Sequence, residues 1–212
     1  AVAAARWRRP VAAGLAVACA APGLVASVHA DRFFAQADTR TLAREYVERS
    51  IPEGASVLLQ PYSVPLTPSR DGLVEALREN LGSAERASIK FQKMLALDPY
   101  PSPAYRLIYL GAGGLDAEKI YITPSALAGP DAVGVLRARG VEYIVLKRYN
   151  GDSSLDALRA ALERDGQRLQ EFSPVREEDP ARVEPFLHNT DARIDRRLQR
   201  PGPALEIWRL PR

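Results

Sequence analysis

The densest run of chemically capable side chains is His188-Asn189-Thr190-Asp191, which carries one of the two histidines in the chain. An imidazole with a carboxylate close by is the pairing a hydrolytic triad uses, with Asp191 orienting His188. No Gly-x-Ser-x-Gly elbow stands anywhere in the sequence to expose a serine nucleophile, so the run lacks its reactive third member. The plainer chemistry is a turn and helix cap, in which side-chain oxygens take up free backbone N–H groups. Beyond it, Arg193, Arg196, Arg197 and Arg200 fall at i, i+3, i+4 and i+7, a spacing that places four guanidinium groups on one face of a short helix, with Ile194 and Leu198 on another. Guanidinium forks match phosphate oxygens. His188, Asn189, Asp191, Arg193, Arg196, Arg197 and Arg200 are therefore candidate contacts to a ligand or to lipid phosphate. The competing reading is an ordinary solvated basic face, interrupted by Asp195.

Other constellations carry less. His29 and His188 are too far apart in the sequence to suggest a metal site, and the single cysteine, Cys19, lies in an apolar run, leaving the polar body without thiols. No metal or organic cofactor is expected in this stretch of chain, and no residue is assigned a catalytic role. Gly111-Ala112-Gly113-Gly114 follows a strand pattern, yet Asp116 stands where a dinucleotide fingerprint needs its third glycine, and another strand pattern comes next, so a tight turn is expected. The 29 Lys+Arg and 26 Asp+Glu are interleaved, and nothing in a net charge of +3 calls for nucleic acid.

The elements that must position these groups read as alternating helices and strands. "DTRTLAREYVERSIPEG" is a helix with Asp38 as N-cap, Leu42 and Tyr46 sharing a face beside Val47, and Pro52-Glu53-Gly54 as its stop. "ASVLLQ" reads as a buried strand, "PYSVPLTPSR" as extended and proline-rich, and Asp71–Leu81 and Ala84–Leu97 as two amphipathic helices. "YRLIYL" and "KIYIT" are strand patterns, and "GPDAVGVLRARG" is a short helix that feeds "VEYIVLK", the expected middle of the sheet. A Ser153-x-x-Asp156 pattern caps a helix striped by Leu155, Leu158 and Leu162, "QRLQEFS" follows, and "ALEIWRL" ends the chain as a half-buried strand. The fold class expected is α/β, a layered domain with a largely parallel or mixed sheet. The stretch from 173 to 203 is long for a connection within such a domain, and connections of this length are often functional or mobile.

The opening of the chain has three readings. Val11 to Val28 carries no charge and, at ~1.5 Å per residue, makes a helix of ~27 Å, just enough for a hydrocarbon layer. Arg6, Arg8 and Arg9 precede it and Trp7 suits an interface, which puts the N-terminal end in the cytoplasm. A signal peptide cleaved after Val28-His29-Ala30 is the second reading, and a lipoprotein anchor at Cys19 the third. The chain starts Ala1-Val2-Ala3 without a methionine, as though continuing an earlier helix, which favours the membrane span. The organisation expected is residues 1–9 as a cytoplasmic loop or the end of a preceding helix, 10–30 as a transmembrane helix, and 31–212 as an extracytoplasmic α/β domain.

The order of these parts, a basic loop, a membrane helix, "DTRTLAREYVERSIPEGASVLLQPYSVPL", then "GVEYIVLKRYN" and "PFLHNTDARID", resembles the C-terminal region of bacterial multi-spanning glycosyltransferases related to the dolichyl-phosphate-mannose protein mannosyltransferases. The resemblance implies an inner-membrane enzyme that moves a sugar from a polyprenyl-phosphate donor to an acceptor at the outer face of the membrane. It also implies an inverting transfer with an acidic residue in a first external loop as catalytic base, a loop that this stretch does not contain; Asp31 and Asp38 follow the span and are not given that role. The partners it implies are the membrane, the remaining transmembrane portion of the same protein, and a lipid-linked sugar or anionic glycan acceptor. A secreted or membrane-anchored periplasmic binding domain without catalysis is the alternative, and a soluble hydrolase using His188 the weaker third.

Overall fold

A computed structural model describes residues 2–114, 116–148, 155–175, 194–195 and 197–211. The first helix, α1 (Val2–Phe34), runs unbroken through the apolar segment. It includes Pro10 and Pro22, and Leu15, Val17, Leu24 and Val25 are each more than half exposed along it. Asp38 then caps α2 (Thr39–Ser50), its carboxylate accepting from the backbone N–H of Arg40 at 2.7 Å.

The strands are β1 (Ser56–Leu59), β2 (Arg106–Leu110), β3 (Ile120–Ile122), β4 (Tyr143–Arg148), β5 (Gln167–Phe172) and β6 (Ala204–Arg209). The helices between them are α3 (Arg70–Leu81), α4 (Ile89–Leu95), α5 (Ala132–Ala138) and α6 (Asp156–Asp165). They form one six-stranded sheet in the order β3-β2-β1-β4-β6-β5. The first four run parallel, while β6 is antiparallel to both β4 and β5. The sheet is thus mixed, as the alternating helices and strands led us to expect.

Alternation along each strand feeds two cores. On one face Leu58, Ile108, Ile144, Leu146 and Trp208 pack with α5 and α6 through residues such as Leu136, Leu158 and Leu162. On the other, Val57, Leu59, Val145, Leu205 and Ile207 pack with Ala43, Val47 and Ile51 of α2 and its C-cap. Each such fully buried aliphatic side chain contributes about 1.5–3 kcal/mol. The buried stripe of α2 is Thr39, Ala43 and Val47, with Leu42 and Tyr46 half-buried on its flanks. The Leu155, Leu158, Leu162 stripe is buried as expected; Ser153 of the capping pattern lies outside the described residues.

Two local expectations are corrected. Ala84–Leu97 is not one amphipathic helix but a 3-10 turn, Ala84–Arg86, and the short α4. Ala87 and Ser88 take extended backbone between them, and no residue of α4 is fully buried. The apolar residues responsible for the helical period, Phe91, Met94 and Leu95, rest half-buried in a small cluster with Leu73 and Leu77 of α3. The last strand, β6, is buried rather than half-buried, because β4 and β5 flank it and both its faces are covered.

The end of α1 is fastened to the domain. Phe33, 3% exposed, packs with Val175, Leu198 and Ile194, and Val175 and Leu198 form an isolated antiparallel bridge. Thr39 donates its backbone N–H to the Pro201 carbonyl at 3.0 Å and its hydroxyl to the Pro203 carbonyl at 2.7 Å. The segment entering β6 therefore clamps the junction of α1 and α2.

Candidate functional site

Of the residues singled out in the sequence, His188, Asn189, Asp191, Arg193 and Arg196 lie outside the described residues. Arg197 and Arg200 are described, and they do not share a helical face. Leu198 is in a β-bridge with Val175, so the chain from 197 to 200 is a turn and an extended stretch. Arg197 folds back on Asp195, Nη2 to Oδ2 at 2.6 Å, and this guanidinium, through its side-chain hydrogen bonds and then its backbone N–H, holds the carboxyl of Asp195 down at about 2. Arg200 turns towards the helix junction, Nη1 reaching the Ala37 carbonyl at 3.4 Å. Helical spacing missed both outcomes because a two-residue ion pair and a strand bridge are alternatives that periodicity does not weigh. Ile194 and Leu198, expected on a second face of that helix, instead join the cluster of Phe33 and Val175, with Leu198 in the bridge.

Gly111-Ala112-Gly113-Gly114 is the turn leaving β2, and no helix follows it. A Cβ on Gly111 would meet the Tyr121 ring at 3.2 and 3.3 Å, and Gly113 has φ 78°, so close packing and a left-handed backbone account for two of these glycines. Among the described residues no group of three or more His, Cys, Asp or Glu is placed to hold a metal ion.

The strand order draws attention to another place. From β1 the chain moves outward to β2 and then β3; it returns on the opposite side of β1 as β4. The chain leaves β1 towards β2 and leaves β4 towards β5 and β6 on the opposite side, so the carboxyl ends of these two neighbours are the topological switch point of the sheet, the place where open α/β sheets bind ligands. The last register pair of the two strands is Leu59 with Val145. Beyond it the Gln60 backbone N–H still donates to the Val145 carbonyl at 3.1 Å, and the Gln60 side chain bridges the two strands, its Oε1 accepting the Lys147 backbone N–H at 2.7 Å.

A tight turn follows, closed by the Ser63 N–H to the Gln60 carbonyl at 3.1 Å. Pro61 occupies its second position, and Tyr62, with φ 61°, its third. That backbone is the left-handed one, normally left to glycine or asparagine. The Tyr62 side chain is nonetheless 84% exposed, whereas Ser63 is 1% exposed and its Oγ has no hydrogen-bond partner among the described residues. Lys147 is 7% exposed, and its Nζ lies 5.7 Å from the centre of the Tyr62 ring.

Cations on the other side of β4 are engaged structurally. Arg148 pairs with Glu171 at 2.6 Å and approaches the buried Glu206 at 3.6 Å. Arg159 lies 4.0 Å from the same Glu206 and donates to the Lys147 carbonyl. Two hollows lie elsewhere: one of about 1050 Å³ beside α1, reaching Ile194, and one of about 750 Å³ at the amino ends of β1 and β4, bordered by Glu53, Glu142 and Arg137. The second is at the end of the sheet where the amino termini of the parallel strands converge, away from the switch point. Gln60, Tyr62, Ser63 and Lys147 were not singled out from the sequence; the one local signal was a tyrosine after proline at the end of a strand, and its meaning depends on strand order.

The chain matches no family model, no curated protein and no solved structure. Among the described residues one helix, near the N-terminus, is long and apolar enough to cross a membrane by length and composition: its best window has mean hydropathy 2.0 and none of it is buried.

Proposed function

We propose that this chain is the C-terminal part of an integral-membrane glycosyltransferase that transfers a sugar from a polyprenyl-phosphate donor to an acceptor at the outer face of a bacterial inner membrane. In this reading α1 is the last span and the α/β domain is an accessory body that receives donor or acceptor. The observation that carries the membrane placement is the exposure of α1 on all sides. A helix apolar all round is stable only in an apolar medium, since each large side chain left in water forgoes about 1.5–3 kcal/mol. Arg6, Arg8 and Arg9 ahead of the span orient the domain outward by the positive-inside rule. The sugar-transfer chemistry rests on the resemblance of the ordered motifs.

A membrane-anchored binding domain without catalysis is the second reading, favoured by the topological switch point at β1 and β4, where sheets of this kind bind ligands. Membranes containing the full-length gene product, incubated with a radiolabelled polyprenyl-phosphate sugar, separate the two: transfer that disappears when the domain is deleted supports the enzyme. No transfer across a panel of donor sugars supports the binding domain. Extraction of the chain into the carbonate supernatant would refute the membrane placement common to both.

A further inference from the structure

We propose that the foot of α1 holds one phosphatidylglycerol of the outer leaflet, its phosphate between Arg32 and Arg200 and its acyl chains in the apolar hollow beside the helix. The proposal rests on the membrane placement of α1 and is independent of the sugar-transfer reading. Two hollows adjoin there. The one of about 1050 Å³ follows α1 from Ala18 to Arg32, with Ile194 facing it from the segment before β6, and its lining is apolar apart from His29 and Arg32. The other, of about 450 Å³, shares those two residues and adds Gln36, Gln199 and Arg200. No carboxylate borders either hollow among the described residues.

Depth agrees with this division. The uncharged run ends at Val28, so His29 and Arg32 occupy the next turn, where the span leaves the hydrocarbon. From Arg9 to Arg32 the helix rises about 35 Å, against a hydrocarbon core of about 30 Å, which puts both ends at the level of the lipid headgroups. From His29 back to Ala18 the rise is about 16 Å, close to half that core and so to the depth one leaflet's acyl chains occupy.

The polar groups of the smaller hollow are not consumed by the fold. Arg40 and Arg197, also near the junction, pair with Asp38 and Asp195. Arg32 has no side-chain partner among the described residues, and Arg200 makes one long bond, to the Ala37 carbonyl at 3.4 Å, leaving its other donors for a ligand. The packing of Phe33 on Leu198 brings together the segments that carry these two guanidinium groups, so their spacing is set before a ligand arrives. Nε2 of His29 is enclosed without a hydrogen-bond partner; no bond holds it there, and turning the ring towards the hollow gains one. Guanidinium forks match phosphate oxygens, and basic pockets at the end of a span take anionic headgroups. The amides of Gln36 and Gln199 suit the hydroxyls of a glycerol headgroup, whereas a choline headgroup would bring a cation against two arginines.

The test is native mass spectrometry of the full chain in nonionic detergent micelles, titrated separately with phosphatidylglycerol, phosphatidylcholine, a polyprenyl phosphate and glycerol 3-phosphate. We expect one phosphatidylglycerol per chain, bound about tenfold more tightly than phosphatidylcholine, with glycerol 3-phosphate weaker still because it leaves the apolar hollow empty. Arg32→Gln and Arg200→Gln should each weaken it about fivefold, the effect of one basic residue near an anionic headgroup, with circular dichroism unchanged. Arg209→Gln removes the same charge at the far end of the sheet and should leave binding as in the parent, while Ala26→Phe, which fills the apolar hollow, should weaken the lipid and spare glycerol 3-phosphate. Equal binding of the two phospholipids, tighter binding of the polyprenyl phosphate or of glycerol 3-phosphate, parent-like binding by Arg32→Gln, or an equal loss in Arg209→Gln would each overturn the proposal. A chain that resists carbonate extraction yet shows no lipid preference would refute the site and keep the membrane placement. Extraction by carbonate would refute the placement itself.

Discussion

Replacing Gly202 with alanine should unfasten α1 and α2 from the sheet. Gly202 has φ 101°, and a Cβ there would land on the Thr39 hydroxyl and the Asp38 carboxylate. The left-handed backbone alone costs an alanine roughly 1–2 kcal/mol. Relieving the overlap requires Thr39 to move, which sacrifices its bonds to the carbonyls of Pro201 and Pro203, each worth about 1 kcal/mol. Displacing Asp38 removes the N-cap of α2, worth about 1 kcal/mol more. The total, about 4–5 kcal/mol, is a large share of the stability of an ordinary domain. Urea denaturation of the full chain in micelles, followed by far-ultraviolet circular dichroism, would report it as a lower midpoint at unchanged slope. Because the penalty runs through Thr39, Gly202→Ala should cost at least 1 kcal/mol less in a Thr39→Ala background. A loss below about 1 kcal/mol in the parent background, or strict additivity with Thr39→Ala, would refute this account of the clamp.

Three further outcomes follow from the described contacts. Leu158→Ala, at a fully buried position on α6, should destabilise by about 2–5 kcal/mol in the same denaturation assay. Phe33→Ala removes the centre of the cluster with Val175 and Leu198 and should increase limited proteolysis in the chain between α1 and α2 several-fold, with the sheet still protected from hydrogen exchange. Acid should weaken the same junction: burial pushes the Asp38 carboxyl up, but its side-chain and backbone hydrogen bonds from Arg40 outweigh this and leave it below the ordinary value of 3.8. A depressed carboxyl contributes its full stabilisation above its unfolded value and loses it as the pH falls through the folded one. The parent's denaturation midpoint should therefore drop below about pH 4 more steeply than that of Asp38→Asn.

What could be read in advance was local. Asp38 before a period of 3.6, the Leu155, Leu158, Leu162 stripe, and the near-continuous apolar run of β4 each state their conformation within a few residues. Errors arose where the outcome depended on distant partners. The burial of β6 depends on β5 at its side, and the break at Ala87 and Ser88 stands in for a helix that Phe91, Met94 and Leu95 imitate in period. The approach of Lys147 to the Tyr62 ring could not be read for the same reason: the two residues are far apart in the chain and meet only because β1 and β4 are neighbours. The helical face expected for Arg197 and Arg200 gives way to a turn in which Asp195, the residue that interrupts the basic run, pairs with Arg197.

The clamp at Phe33 and Thr39 also has a mechanical consequence. A helix of the length of α1 extends about 50 Å, so a 10° change in its tilt sweeps the far end through about 9 Å. Had the junction been a slack tether, such motion would dissipate in the linker. With Phe33 seated and Thr39 bonded to the segment entering β6, it becomes torque on the sheet. On the proposed membrane placement, bilayer thickness and the packing of neighbouring spans, which set helix tilt, would thereby set the height and angle at which the sheet faces the lipid surface.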